Sequence, residues 1–123
     1  MDVLIEWTPE NMRRLAAALA DLDARLFGVD AELLGVDPRD PDDLLNGGNF
    51  TLRTVAGGLD LFDPGEIPGG RPYEEMRPRA VEAVVQGVGI RAVGFDDLIR
   101  LKRESGRDSD LEDVATLLAA RAR

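Results

Sequence analysis

The stretch Met1-Asp2-Val3-Leu4-Ile5 begins the chain with an apolar run that is typical of a strand and carries one aspartate. A second run of the same kind, Gly58-Leu59-Asp60-Leu61-Phe62, places another aspartate between apolar residues. Side chains alternate across a strand, so each aspartate points away from the face that carries its apolar neighbours. The two runs therefore predict two strands of one sheet, each with a carboxylate on the face opposite its apolar residues.

These two aspartates predict a metal site. Two carboxylates that meet across one sheet suit a divalent-metal centre for phosphoryl transfer, because hard cations prefer oxygen ligands and neutralise charge on the transferred phosphate. Such a centre usually has a third carboxylate, which here would precede Met1. An aspartate near a strand end is also often a turn former or an edge charge, and both interpretations stay open for Asp2 and Asp60.

Composition narrows the possible chemistry. The 123 residues fit one domain, and an apolar fraction of 44% is enough for a packed core. The sequence contains no cysteine and no histidine, which excludes disulfides, zinc–thiolate sites and histidine as a general base. No run approaches the roughly 18 consecutive apolar residues of a membrane-spanning helix, and the first residues lack a signal-peptide pattern. We therefore expect a soluble, cytoplasmic protein.

The charge distribution bears on partners. A net charge of −9 argues against non-specific binding to nucleic acid, which requires lysine and arginine over a broad surface. Acidic residues crowd residues 37–43, whereas positive charges cluster between Arg100 and Arg107. A solvated surface and a local basic pocket are both compatible with this basic cluster.

The first helix is predicted over residues 9–26. Thr8 is a suitable N-cap, Pro9 suits the first helical position, and apolar residues then recur at three- and four-residue spacings as far as Leu26. Gly28 is expected to close this helix. A loop over residues 29–41 and a single helical turn at 41–45 are expected to follow.

The rest of the sequence predicts two hairpins and a helical tail. The glycine pairs 47–48 and 57–58 are expected to serve as turns, and Gln86-Gly87 is expected to connect the second hairpin. The predicted segments are strands 49–55 and 58–62, a short helix at 73–77, strands 81–85 and 88–93, a helix over 95–105, and a last helix from Ser109 or Asp110. This order predicts an α+β fold: one domain over residues 1–123, with a small mixed sheet of about five strands and helices mainly on one face.

Three segments carry a resemblance to a known family. They are Asp2-Val3-Leu4-Ile5 with Thr8-Pro9-Glu10-Asn11; Gly48-Asn49-Phe50-Thr51-Leu52 with Thr54 and Gly57 before Leu59-Asp60-Leu61; and Phe95-Asp96-Asp97-Leu98-Ile99-Arg100-Leu101-Lys102 with Gly106-Arg107 and Asp110-Leu111-Glu112-Asp113. Together they resemble the small nucleotidyltransferase-like proteins of the polymerase-β superfamily, including bacterial toxin–antitoxin relatives of the abortive-infection type. The likeness runs over essentially the whole chain, and its last segment is the most specific.

The resemblance implies a function and a site. Members carry a glycine-rich turn and helix, a strand with an Asp-apolar-Asp pair, and a later strand with a third aspartate. Asp2 matches the second aspartate of the pair, and Asp60 matches the third, a catalytic carboxylate that ligates a metal and helps to activate the attacking hydroxyl. The implied cofactor is Mg²⁺ or Mn²⁺, and the implied reaction moves a nucleotide from a nucleoside triphosphate to a hydroxyl of a protein, an RNA or a small molecule.

The sequence departs from the family at its start. The glycine-rich turn, its helix and the first aspartate have no counterpart, so we expect transfer to be weak or absent in the chain as it stands. Met1 occupies the middle apolar position of the Asp-apolar-Asp pair. A misassigned start and a natural truncation both explain this, and the upstream DNA would distinguish them.

Lys102 and Arg107 have two interpretations. In the first, both residues steer a triphosphate as nucleotide-binding residues; in the second, Lys102 is a surface lysine and Arg107 pairs with Asp110 or Asp113. The acidic residues at the helix starts, Asp97 among them, are expected to be caps and first-turn charges. The aromatic residues Trp7, Phe50 and Tyr73 are expected to be mostly core.

A second function class is also open. A non-catalytic interaction module, such as a toxin–antitoxin component or an oligomeric binding protein, would bind through its exposed first strand or its acidic surface. This hypothesis predicts a homo-oligomer in solution.

Overall fold

The computed structural model describes residues 1–28, 31 and 33–123 of the chain. It divides into two compact units, Met1–Pro64 and Gly65–Arg123. Each unit combines helices with strands, which confirms the predicted mixture of α and β structure. The assignment of residues 1–123 to one nucleotidyltransferase-like domain stays a prediction.

The first unit is built on a four-stranded sheet. Its strands are β1 (Asp2–Leu4), β2 (Arg25–Leu26), β3 (Phe50–Thr54) and β4 (Gly57–Phe62). They lie in the order β1-β4-β3-β2, so β1 and β2 form the two edges. The β1–β4 pair is parallel, whereas β3 pairs antiparallel with both β4 and β2. The predicted first strand and first hairpin are therefore present.

Helix α1 (Pro9–Asp21) starts where the sequence indicates and ends earlier. The Thr8 hydroxyl accepts a hydrogen bond from the backbone N–H of Asn11 at 3.2 Å, and a proline occupies the start. The predicted end near residue 26 is wrong, because Asp23 adopts a left-handed backbone with φ of 47° that breaks the helix. Leu26 lies in β2 opposite Leu52 and still packs against the core.

Helix α2 (Pro41–Asn46) is the predicted helical turn. The Asp40 side chain caps it by accepting a hydrogen bond from the N–H of Asp42 at 2.9 Å. The predicted loop before this helix includes residues 29, 30 and 32, which lie outside the described residues.

The core of the first unit lies on one face of the sheet. Trp7 and Phe50 stack there, with ring centroids 6.2 Å apart, and the Trp7 indole N–H donates to the Leu45 carbonyl oxygen at 3.1 Å. Both aromatic residues are therefore structural, as expected. The buried members come from α1, α2 and the four strands or the residues next to them: Ile5, Met12, Ala16, Leu19, Ala24, Leu44, Phe50, Leu52 and Leu61.

The second unit contains a separate hairpin and three helices. Its elements are α3 (Tyr73–Met76), β5 (Val81–Val85), β6 (Val88–Ala92), α4 (Phe95–Ser105) and α5 (Asp108–Arg121). Strands β5 and β6 form a two-stranded sheet of their own. The prediction of a single sheet of about five strands is thus wrong: the described strands form a sheet of four and a sheet of two. The first sheet includes β2, a segment that the sequence analysis assigned to the end of the first helix, and the second hairpin pairs only within itself.

The turns of the second unit follow the predicted chemistry. Gln86 and Gly87 connect β5 to β6 with φ of 51° and 78°. Two successive positive φ angles are what a tight hairpin turn requires. Gly106 ends α4 with φ of 68°, a conformation that glycine adopts without steric cost.

Candidate functional site

The structure places Asp2 and Asp60 directly beside each other. They are register partners in the parallel pair of β1 and β4, and the N–H of Asp60 donates to the Met1 carbonyl oxygen at 2.9 Å. Register partners on neighbouring strands present their side chains on the same face. Asp2 is exposed and Asp60 is partly buried. The two carboxylates that the sequence analysis singled out are therefore adjacent on the face opposite the core.

This spacing is compatible with a shared cation. Neighbouring strands lie about 4.8 Å apart, and carboxylate oxygens bind Mg²⁺ or Ca²⁺ at about 2.0–2.6 Å. Each carboxylate can thus contribute one oxygen to a cation held between them. Among the described residues, no group of three or more acidic, histidine or cysteine side chains is arranged to hold a metal, so Asp2 and Asp60 form a two-carboxylate pair.

The same face carries residues that the sequence analysis missed. Thr51 lies opposite Asp60 in the β3–β4 register, and Arg53 lies opposite Gly58. The Arg53 guanidinium carbon stands 4.0 Å from the centroid of the Phe27 ring. The alternation of β3, in which Phe50 and Leu52 are buried, was a signal that Thr51 and Arg53 face outward. This face therefore combines the two carboxylates with a basic side chain that an aromatic ring holds in place.

Lys102 and Arg107 lie in the second unit, and both form ion pairs. The Lys102 ammonium is 2.7 Å from a carboxylate oxygen of Asp113 and 3.4 Å from one of Asp110. The Arg107 Nε donates to Asp110 at 2.8 Å. The hydrogen bond with Asp113 is the main cause that raises the pKa of Lys102. The structure thus contains the pairing of Arg107 with Asp110, which was one of the two interpretations. A role of Lys102 and Arg107 in nucleotide binding stays a prediction.

Asp97 is the centre of a second ion-pair cluster. Its side chain is fully buried, and it accepts hydrogen bonds from Arg79 Nε and Nη2 at 2.9 and 2.8 Å and from Arg100 Nη2 at 2.7 Å. These bonds, those from Arg79 above all, lower the pKa of Asp97. At Gly94, just before α4, an added side-chain carbon would overlap the Arg79 carbonyl oxygen. The cluster therefore holds the Arg77–Arg79 turn against the start of α4.

These buried acids make stability depend on pH. Hydrogen bonds from Arg107 and Ser105 lower the pKa of Asp110, and Asp97 is shifted in the same direction, both from an ordinary value of 3.8. A carboxyl whose pKa is lowered by folding stabilises the native state above its unfolded pKa, and this contribution is lost as the pH falls through the folded value. We expect the free energy of unfolding to be nearly constant from neutral pH to about pH 5 and to decline below about pH 4.

Urea unfolding followed by circular dichroism across this pH range would measure the decline. The Asp110→Asn variant removes one of the responsible groups, so its stability should fall less steeply below about pH 4. An unchanged slope in this variant would contradict the assignment of the pH dependence to Asp110.

The comparisons with known proteins give no assignment. No family model matches the sequence, and no curated protein or solved structure matches it. Within the described residues, every helix is too short or too polar to cross a membrane. The nucleotidyltransferase resemblance therefore stays a prediction that depends on the segments quoted above.

Proposed function

We propose that this chain is a nucleotidyltransferase-like protein in which Asp2 and Asp60 bind a divalent cation, Mg²⁺ or Mn²⁺. The observation that supports the proposal is the parallel register that sets these two carboxylates side by side on the face opposite the core. Hard cations prefer carboxylate oxygens, and a bound cation neutralises charge on a phosphate that approaches it. The proposed substrate is a nucleoside triphosphate, and the proposed acceptor is a hydroxyl group.

The proposed chemistry gives Asp60 two roles, as a ligand of the cation and as the acceptor of a proton. An acceptor hydroxyl oxygen attacks the α-phosphorus, the bond to the leaving pyrophosphate breaks, and the hydroxyl proton passes to the Asp60 carboxylate. Asp60 is suited to this role because it is partly buried and lies next to Thr51 and Asp2. Arg53, on the same face, adds positive charge that attracts a phosphate.

Activity should be weak in this chain as it stands. Mg²⁺ takes about six oxygen ligands, and two carboxylates leave most of these positions to water and substrate. The pair therefore binds the cation less tightly than a site with three carboxylates would. We expect cation binding that is weak but confined to the face of Asp2 and Asp60.

Paramagnetic NMR with Mn²⁺ tests this proposal without requiring turnover. Amide signals of β1 and of the middle of β4 should broaden at Mn²⁺ concentrations that leave α1 unaffected. The Asp60→Asn variant should lose this local broadening. Asp21→Asn is the matched control, because it removes the same charge from an exposed position at the end of α1.

The control matters because a net charge of −9 attracts cations over the whole surface. Broadening that persists in Asp60→Asn, or that is lost equally in Asp21→Asn, would refute the proposed cation site. Calorimetry of each nucleoside triphosphate in the presence of Mn²⁺ would then identify the nucleotide, with Asp60→Asn as the reference.

A further inference from the structure

The outward face of the first sheet carries two arginines side by side. Arg25 and Arg53 are register partners in the antiparallel pair of β2 and β3, so their Cα atoms lie about 4.5–5.5 Å apart. Their neighbours Leu26 and Leu52 pack into the core, and alternation along each strand therefore places both arginines on the opposite face. Both side chains are exposed. We call Arg25 and Arg53 the arginine pair.

Folding alone does not favour this juxtaposition. Like charges directly opposite each other on neighbouring strands destabilise a sheet. A single charge on the edge strand β2 would protect that edge from pairing with another chain, and this needs no second arginine on β3. Asp23 compensates Arg25 only in part, because the two groups are 3.5 Å apart and both side chains are mostly exposed. An anion that binds between the two guanidinium groups would remove the repulsion.

Phe27 orients one member of the arginine pair and presents a ring beside it. The Phe27 N–H donates to the Thr51 carbonyl oxygen at 2.9 Å, which extends the pairing of β2 with β3 by one residue. The cation–π contact between the Phe27 ring and Arg53 restricts the guanidinium group. Among the described residues, no carboxylate forms an ion pair with Arg53, so its N–H donors are available. Phe27 is 51% exposed, and part of its ring surface is therefore open to a ligand.

We propose that the arginine pair binds a phosphate monoester whose organic part is a planar ring, with that ring against Phe27. Charge complementarity is the argument for this ligand. A phosphate monoester carries a charge of about −1.5 to −2 at neutral pH and three acceptor oxygens, which match two positive charges and two forks of N–H donors. A carboxylate has one charge and two oxygens, and a single guanidinium satisfies it. The site is open to water, so we expect a dissociation constant on the order of 1 mM.

NMR titration of the labelled protein in metal-free buffer tests the proposal with three small probes. Phenyl phosphate has both the phosphate and the ring, inorganic phosphate lacks the ring, and benzoate has the ring with a carboxylate. Phenyl phosphate should bind most tightly and shift the amide signals of β2 and β3. Equal affinity for benzoate would overturn the assignment to a phosphate, as would the absence of any shift in β2 and β3 with phenyl phosphate.

Variants of the arginine pair distinguish a site from general attraction. Arg25→Gln should weaken phenyl phosphate binding about tenfold, the change expected for one charge-assisted hydrogen bond, and Arg25→Lys should weaken it less. Arg13→Gln is the matched control, because it removes the same charge from an exposed position on α1. An equal loss in Arg13→Gln would overturn the proposal, since it would show that the probe responds only to net charge.

Two further variants test the ring and separate this site from the cation site. Phe27→Leu should reduce the advantage of phenyl phosphate over inorganic phosphate, and an unchanged advantage would refute the contact with Phe27. Asp60→Asn should leave phenyl phosphate binding intact, because the proposed site uses neither Asp60 nor a cation. Arg25→Gln should in turn preserve the local Mn²⁺ broadening. Failure of either proposal is therefore recognisable without the other.

Discussion

Replacement of Asp97 by asparagine is expected to lower the free energy of unfolding by about 3 kcal/mol. The carboxylate is inaccessible to solvent and receives three hydrogen bonds from Arg79 and Arg100. Loss of its charge leaves two guanidinium groups close together without their shared counter-ion. Both arginines reach solvent on their other side, so water relieves part of the cost. The loss of stability should therefore lie at the low end of the range of about 3–5 kcal/mol that is typical when one partner of a buried ion pair is removed.

The neighbouring residue provides the control for this prediction. Asp96 has the same charge and also lies in the first turn of α4, but its side chain is 80% exposed and it pairs with Arg121 at 2.8 Å. Asp96→Asn should cost less than about 1 kcal/mol, because exposed ion pairs contribute little. Urea unfolding of both variants at neutral pH measures the difference. Equal losses would show that the burial of Asp97 has no energetic consequence.

The Leu61→Ala substitution is expected to cost about 2–5 kcal/mol. Leu61 is fully buried in β4, where it lies opposite Val3 on one side and Phe50 on the other. Shortening this side chain removes apolar contacts and leaves a cavity in the core of the first unit. Val55→Ala, at an exposed valine in the turn that follows β3, removes methyl groups without a cavity and should change stability little.

Leu61 also separates folding from cation binding. Asp60→Asn changes the neighbouring residue on the opposite face of the same strand, so it should remove the local Mn²⁺ effect and leave the unfolding transition nearly unchanged. Leu61→Ala should do the reverse, with Mn²⁺ broadening preserved under conditions in which the variant is still folded. Loss of both properties in both variants would show that the carboxylates support the fold and are not a separate site.

Local signals in the sequence were enough to predict much of the fold. The cap at Thr8, the proline at Pro9 and the turn Gln86-Gly87 each act on their immediate neighbours, and each element begins or turns where they indicate. The apolar periodicity gave the wrong end for the first helix at Leu26. This residue lies at helical spacing from the apolar residues of α1, but it contacts the same core from strand β2. The end of α1 depends on the pairing of β2 with β3, which no local pattern encodes.

The candidate site was predictable only in part, and again from local signals in the sequence. The alternation of two strands was sufficient to place Asp2 and Asp60 away from their apolar neighbours. The burial of Asp97 was not predictable, because a first-turn acid is ordinarily exposed and Arg79, its main partner, lies 18 positions earlier in the chain. Its neighbour Asp96 has the same type of side chain and a different environment, and only the packed structure distinguishes the two.

The parallel pairing of β1 with β4 determines when the proposed site can form. Asp2 and Asp60 come from opposite ends of the first unit, and no local folding event brings them together. The β3–β4 hairpin joins residues that are close in sequence, so it can form quickly. Strand β1 must pair with β4 across the whole intervening chain, and contacts of such long sequence separation form slowly. During synthesis, Asp2 emerges from the ribosome well before β4 does. Until the chain as far as Phe62 has emerged, Asp2 has no Asp60 beside it. Cation binding at this pair would therefore report that the first unit has completed its topology.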